Sequence, residues 1–565
     1  MFQLNDRMIK NPMDMTDVYK ICHMSQYPDG IEWILETWIP RMSRAEGINH
    51  VCFYSLQGAL AEITQNFQDY FFSRPVEDVV AEYEETITDI FKKTNPEWAA
   101  NHGSEHVRAL HALGYLPIKV KALAEGTFVP IGVAMFTIEN TDPRFFWIPG
   151  YIETQLSSYI WSPMTSGTIS SVYKKILIQF ARETGVDEVR VDNQAGDFSM
   201  RGMNQPEAAY RTGPGHLLAF NVSATVPVRN YLKAFYQKPK GAISCNPSTE
   251  HSVMCSWGID EVRGFLTLIT KKYPSGNISI VSDTYDFWNV ISTVLPEIKP
   301  QILSRPGKVF IRPDSGDPVE VVCGRETKIF LTMAEAKKYY HNNGFAEMRL
   351  GVIFRLKDGS WWKVTREDDH SISAYHPWKD IYEEYTPTVE DLGLCEALWN
   401  EFGGTVNANG FKEHDSHIGI TYGDAITIER CFKICKRLRD KGFASINVSF
   451  GIGSFTYQYV TRDTFGFALK GIAEIMSGVF KKIQKLVKSE KNSFKKSPTG
   501  IPVVIWDESK NNYAMIDNLT PEEADAYGDK NLLKEFYKDG EFYYLNSWDE
   551  IKVLYNKEMK RVYNL

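Results

Sequence analysis

A chain of 565 residues is too long for one ordinary hydrophobic core and sets a soft expectation of about three to four domains. Its residues are 43% hydrophobic and 24% charged, and 63 basic against 71 acidic side chains leave a net charge of −8. That composition can fill a packed interior, excludes disorder as a description, and argues against a dedicated nucleic-acid or anionic-membrane surface.

The N-terminal stretch MFQLNDRMIKNPMDMTD has acids and proline where a secretory signal needs an apolar run. No stretch approaches about 18 consecutive apolar residues, so no membrane span is expected. His102, His106 and His111 lie close in sequence without a carboxylate at ligand spacing, which reads as packed or solvated histidine rather than a metal site. The eight cysteines form no C-x-x-C pair, and Cys431 and Cys435 sit one helical turn apart as packing residues. A soluble, reduced, cytoplasmic protein is the expectation.

From about residue 278 a pattern repeats: a short apolar run, an acid or glycine at its end, then a helix-length segment. ISIVSD ends at Asp283 and precedes TYDFWNVISTVLPEIKPQIL. KVFIRPDSGDP sets Arg312 and Asp314 just after its apolar run. HIGITYGD sets Gly423 and Asp424 there, ahead of TIERCFKICKRLRDKG. INVSFGIGS ends in a glycine turn, ahead of the helix-length FTYQYVTRDTFGFALKGIAEI. Such alternation implies parallel strands joined by crossover helices. Acids and glycines at strand C-termini are where (β/α) barrels build their sites, and a doubly wound sheet is the runner-up.

The interval between Asp314 and Asp424 is far longer than one crossover needs, and GVIFRLKDGSWWKVT inside it reads as a hairpin about Asp358-Gly359. An insertion over 323–412 follows. The Lys-rich stretch 481–500 reads either as a solvated face or as a phosphate clamp. No P-loop or dinucleotide fingerprint is present. RPDSGDP, with an arginine, two acids and a glycine in one loop, suits a phosphorylated, hydroxylated ligand.

TDVYKICHMSQYP, FYSLQG, DFSMRG, STEHSVMCSWG, VSDTYDFWN, IRPDSGDP, YGD, FGIGS, TRDTFGFALK and LLKEFYKDGEFYYLNSWDEIK occur in an order that resembles the nicotinamide phosphoribosyltransferases. The resemblance implies an α/β chain with an irregular (β/α) barrel-like domain (161–469) and an α+β sheet domain made from both chain ends (1–160 and 470–565). It also implies a homodimer with sites at the subunit interface. The implied reaction joins nicotinamide to 5-phosphoribosyl-1-pyrophosphate, with Mg²⁺, giving nicotinamide mononucleotide and pyrophosphate in NAD salvage.

Carried over residue by residue, the resemblance makes Phe198 one face of a ring sandwich and Tyr19 of a second subunit the other, beside Asp17. Arg312, Ser279 and Ala224 would complete the base site. Arg41, Arg201, Arg462 and Lys470, with Gly453 and Ser454, would hold phosphates. Asp314, Gly423 and Asp424 would hold the ribose. His251 would accept phosphate from ATP, oriented by Asp283, and His251, Asp283, Asp314 and Asp424 form the candidate catalytic set. The basic loop Lys491 to Lys496 stands between phosphate contact and solvation.

Departures from the family pattern cluster. Ala224 replaces an aspartate that accepts from the nicotinamide amide, and Cys245 replaces a pocket serine. Ala425 replaces a turn glycine, Ser454 a phosphate-loop glycine, and Ala468 a serine. Losing the carboxylate weakens discrimination of amide from acid. Three alternatives therefore stand beside nicotinamide phosphoribosyl transfer: nicotinate as the base, an ADP-ribosyl pyrophosphate donor giving NAD directly, or a degenerate nucleotide-binding relative.

Overall fold

The structure, a computed structural model, describes residues 11–238, 240–343, 348, 351–368, 378–485 and 497–565. The chain divides into two compact units, one from the described residues of 1–175, 196–245 and 452–565, the other from those of 176–195 and 246–451.

The first unit is built on a seven-stranded sheet in the order Val479–Lys482, Ala468–Met476, Ile31–Ile39, Phe136–Asn140, Ile118–Ala122, Lys534–Lys538, Glu541–Phe542. Every neighbouring pair is antiparallel, so early and late segments interleave. The strand Ile118–Ala122 alternates buried and half-buried residues, as a strand with one covered face must. Trp38 is fully buried and stacks on Phe136 and Phe467, with ring centroids 6.1 and 5.4 Å away. A sheet made from both chain ends is thus present. Residues 161–175, 196–245 and 452–469, expected in the barrel-like domain, group with this unit instead.

One local expectation is corrected here. FTYQYVTRDTFGFALKGIAEI is not one helix: it holds the short turns Ser454–Tyr457 and Arg462–Thr464 and then enters the strand Ala468–Met476. Gly466, at φ +58°, breaks any helix, and Leu469 pairs with Trp38 across the sheet. Tertiary pairing overrides a helix-length apolar run.

The second unit carries parallel strands in the order Ile278–Val281, Val309–Arg312, Ile418–Tyr422, Val448–Ile452. Ile280, Ile311, Ile420 and Val448 are fully buried, as strands covered on both faces require. Helical segments over 287–304 and Ile428–Asp440 supply two of the expected crossovers. Cys431 and Cys435 are buried in the second, as packing residues.

Within the expected insertion lies a small sheet, Lys328–Phe330, Val352–Leu356, Trp361–Asp368, Trp378–Glu384, with its own core of Ala336, Tyr340, Phe354 and Val364. The hairpin is present, and its turn closes on a left-handed Gly359 at φ +94°. Among the described residues no helix is long and apolar enough to cross a membrane. Lys491 to Lys496 lie outside the described residues.

Glu125, in the first unit, is buried and accepts the Gln57 N–H at 2.7 Å. Burial pushes its carboxyl up to about 7, against the opposing pull of backbone N–H groups of Gln57 and Ser55. The folded state therefore holds a proton that the unfolded chain has lost, and this group's contribution to stability falls as pH rises through about 7. Between about pH 6 and about pH 8 the loss of unfolding free energy in wild type should be reduced by on the order of 1 kcal/mol in Glu125→Gln. An equal loss in the variant would refute the assignment.

Candidate active site

In the second unit Asp283 lies just past the strand Ile278–Val281, with its side chain almost wholly buried. Its Oδ2 accepts the Asp314 N–H at 3.0 Å and the Ser315 hydroxyl at 2.6 Å, which ties one strand exit to the exit of the neighbouring Val309–Arg312. Tyr422, ending the next strand, donates its hydroxyl to the Ser315 and Gly316 carbonyls at 2.9 and 3.0 Å. Burial first, then the charges of Asp424, Asp283, Asp317 and Asp314, push that phenol well above its ordinary value. Those carboxylates therefore gather around one strand end.

His251 opens the short helix His251–Cys255 with its side chain nearly half exposed. Its Nδ1 pairs with Thr284 Oγ1 at 3.2 Å, while Nε2 stands 3.8 Å from Asp283 Oδ1 and 3.7 Å from Asp314 Oδ2. The latter distances are too long for hydrogen bonds. Thr284 thus holds the ring, and Asp283, expected to orient it, instead anchors the Asp314–Ser315 loop. Arg312 Nη2 donates to the Thr249 carbonyl at 2.6 Å. Ser279 is buried, and its hydroxyl has no hydrogen-bond partner among the described residues. Gly423 and an exposed Asp424 follow the strand Ile418–Tyr422.

In the first unit the short parallel strands Ala195–Asp197 and Val222–Ser223 pair with Asp197 opposite Ser223, which sets Phe198 and Ala224 side by side at their exits. Both are exposed, Phe198 by 39%. A Cβ on Gly196 would come within 2.9 Å of Phe198 Cε2, so the glycine lets the ring lie back over the strand. Arg201 is exposed on the turn Met200–Gly202 and makes no ion pair among the described residues. A Cβ on Gly202 would collide with Ser454 Oγ.

Three cations crowd one another in the same unit. Arg41 Nε donates to the Gly466 carbonyl at 2.8 Å, and burial followed by the Arg462 charge lowers its pKa. Lys470, opposite Thr37 in the sheet, is lowered by burial and further by Arg41, with Glu153 and Glu36 opposing. Arg462 remains half exposed, 3.8 Å from Asp463. Arg41 and Lys470 are thus cations whose charge is disfavoured both by burial and by a like-charged neighbour. Asp17 Oδ2 accepts the Tyr19 hydroxyl at 3.0 Å and the Thr154 hydroxyl at 2.8 Å, leaving the Tyr19 ring 58% exposed. Burial, then that bond to Asp17, pushes the phenol up.

The model of the nicotinate phosphoribosyltransferase (NAPRTase) family matches residues 193–502. Nicotinamide phosphoribosyltransferase of Acinetobacter baylyi is 34% identical over 96% of each chain. The chain belongs to this phosphoribosyltransferase family. The enzyme of the same name from Mycoplasma pneumoniae is 27% identical over 80% of this chain and 87% of its own. Nicotinate-nucleotide pyrophosphorylase of Pyrococcus furiosus shares the fold, with a TM-score of 0.51 at 13% identity over 100% of this chain and 99% of that one.

Within this pentosyltransferase family the structure gathers His251, Asp283, Asp314, Asp424 and Tyr422 in one unit. In the other it gathers Phe198 with Ala224, Arg41 with Arg462 and Lys470, and Asp17 with Tyr19. Sequence reading missed Asp197, Thr284 and Tyr422. Asp197 was visible only as the first letter of DFSMRG, and Thr284 only as the residue after Asp283. His102 and His106 share the Tyr83 hydroxyl, each at 3.1 Å, and are packing residues as expected.

Ala425 sits at φ +48°, where a Cβ is unfavourable, and its carbonyl accepts Arg430 Nη1 at 2.6 Å. Glycine would relieve that strain at some cost in unfolded-chain entropy. Ala425→Gly should therefore raise the unfolding free energy by about 1 kcal/mol in a denaturant titration. Destabilisation would show that the left-handed turn is not strained.

Proposed function

We propose that this chain transfers the 5-phosphoribosyl group of phosphoribosyl pyrophosphate to nicotinamide, giving nicotinamide mononucleotide and pyrophosphate in NAD salvage. The observation that carries the proposal is the crowding of Arg41, Arg462 and Lys470, which a pyrophosphate-bearing substrate relieves. Nicotinamide as the base is supported by the name of the full-length Acinetobacter baylyi relative.

The ring nitrogen's lone pair forms the new bond to ribose C1 while the C1–O bond breaks and its electron pair leaves with pyrophosphate. Positive charge develops on the ribose and negative charge on the leaving group, so positioning and electrostatic support do most of the work. Asp314 and Asp424 would steady the ribose, with Gly423 giving its backbone room. Arg41, Arg201, Arg462, Lys470 and the backbone at Gly453 and Ser454 would take up the phosphate charge. Phe198 would stack on the base, Arg312 and Ser279 would meet its polar edge, and Ala224 would form a wall.

Tyr19, tied to Asp17 and exposed, would cover the other face of a base bound by a second copy, in a homodimer. Among the described residues no group of three His, Cys, Asp or Glu side chains is arranged to hold a metal ion, and Mg²⁺ would arrive with the pyrophosphate and be held largely by its oxygens. Asp314 would share it. ATP would phosphorylate His251, whose Nε2 is left by the Thr284 bond at Nδ1. All eight cysteines are free thiols, which suits the cytoplasm.

Purified protein, Mg²⁺, nicotinamide or nicotinate, and phosphoribosyl or ADP-ribosyl pyrophosphate would be combined pairwise and the products weighed by mass spectrometry. Nicotinamide mononucleotide from the first base and first donor is expected, with little product elsewhere. NAD formed directly, or nicotinate preferred, would overturn the proposal. Because Ala224 offers no carboxylate, Ala224→Asp should sharpen the preference for nicotinamide over nicotinate by about tenfold, through a new acceptor for the amide and repulsion of the acid. An unchanged ratio of kcat/KM values would remove Ala224 from the base wall.

A further inference from the structure

The carboxylate of Asp197 is fully buried, in the first unit, with no basic side chain paired to it among the described residues. Its charge is met by hydrogen bonds instead. Oδ1 accepts the Ser199 N–H at 3.0 Å and the Ser199 hydroxyl at 2.7 Å. Oδ2 accepts the Ser223 hydroxyl at 3.1 Å and the Thr225 hydroxyl at 2.9 Å. Ser199, Ser223 and Thr225 are themselves buried. The backbone completes the arrangement, with the Ala224 N–H donating to the Asp197 carbonyl at 2.8 Å and the Phe198 N–H to the Ile452 carbonyl at 2.9 Å.

The four donors come from two different strand exits. Ser199 follows Phe198 on one, while Ser223 and Thr225 flank Ala224 on the other. Two parallel strands of two or three residues have few ladder bonds of their own, so beyond the Ala224 N–H bond to the Asp197 carbonyl the side-chain bonds of Asp197 are the main tie between their exits. A buried carboxylate left without donors is costly, which makes all four bonds hard to give up at once. Gly213 is required chiefly by Val228, whose Cγ2 would lie 2.5 Å from a Cβ there, and it also leaves room beside Asp197 Oδ2, 3.2 Å from that position.

We propose that Asp197 is a positioning residue for the pyridine base, setting the separation of the Phe198 ring from the wall at Ala224. The proposal rests on the function proposed above. Asp197 reaches no substrate itself. It acts by holding Ser199 and Thr225, and so determines affinity for the base while leaving affinity for the donor alone.

The test compares Asp197→Asn, Thr225→Val and wild type by steady-state kinetics with each substrate varied in turn, alongside thermal unfolding. Asp197→Asn puts an amide N–H₂ where an acceptor stood, and Thr225→Val removes one donor while keeping the shape of the side chain. Asp197→Asn should raise the KM for nicotinamide by about tenfold, with the KM for phosphoribosyl pyrophosphate unchanged. Thr225→Val should raise the same constant less, again without touching the donor. Phe198→Ala, as a reference for loss of the platform, should show the same one-sided change. Equal shifts in both KM values, or a lower melting temperature with neither KM moved, would reduce Asp197 to a structural role and overturn the proposal. Absence of turnover in wild type would instead refute the proposed reaction, a different and separately visible result.

Discussion

A buried carboxylate at a strand exit, bonded across to the exit of the neighbouring parallel strand, is the constraint on which the candidate residues of each unit depend. Asp283 does this in one unit by accepting from Asp314 and Ser315. Asp197 does it in the other by accepting from Ser199, Ser223 and Thr225. Parallel strands fix each other only along their ladders, and the loops beyond the last rung are free to diverge. Groups meant to act on one ligand need those loops held, and an aspartate with two acceptor oxygens reaches donors on both sides. The hydrogen-bond donors that make its burial tolerable are the same groups it positions.

The cationic set works by the opposite logic. Arg41 and Lys470 are half-buried and lose basicity to burial and to neighbouring cations, Arg462 beside Arg41 and Arg41 beside Lys470, although Glu153 and Glu36 offset part of the effect at Lys470. Glu36 itself is pushed up by burial and by Glu153, so its counter-charge is incomplete. What remains is positive potential in a partly desolvated place, where an incoming polyanion gains more than it would at an open surface. The overall net charge of −8 gives no hint of this, because it averages over a chain whose acids lie mostly elsewhere.

The parallel strands of the second unit were legible because each is a short run of Ile, Val and Phe closed by an acid or glycine with a specific task. Asp283, Asp314 and Gly423 mark those ends. The hairpin about Gly359 was legible for the same reason, since a left-handed residue there needs glycine. The segment after Gly453 was not legible: apolar residues at helix-like density also suit a strand buried against Trp38, and only the distant partner decides. Unit boundaries differ for a related reason: 196–245 and 452–469 join the sheet-bearing unit through contacts distant in sequence, such as the Phe198 N–H on the Ile452 carbonyl. Asp197 was hidden because its Oδ2 donors lie 26 and 28 residues further on. A carboxylate paired by hydroxyls carries no charge pattern to read.

Glycines separate what the fold needs from what a ligand needs. Gly202 is required by the chain, since any side chain would strike Ser454 Oγ. Gly453 is not: its φ of −100° suits any residue, and a Cβ there would meet nothing within 4 Å. A side chain at that position would cost the fold little and would fill open space at the start of the turn Ser454–Tyr457. Under the proposed function that space would let phosphate oxygens approach the backbone N–H groups closely. Ser454, beside it, packs against Gly202. A serine in place of glycine at 454 is thus accommodated by the missing side chain at 202, while the space beside Gly453 stays open.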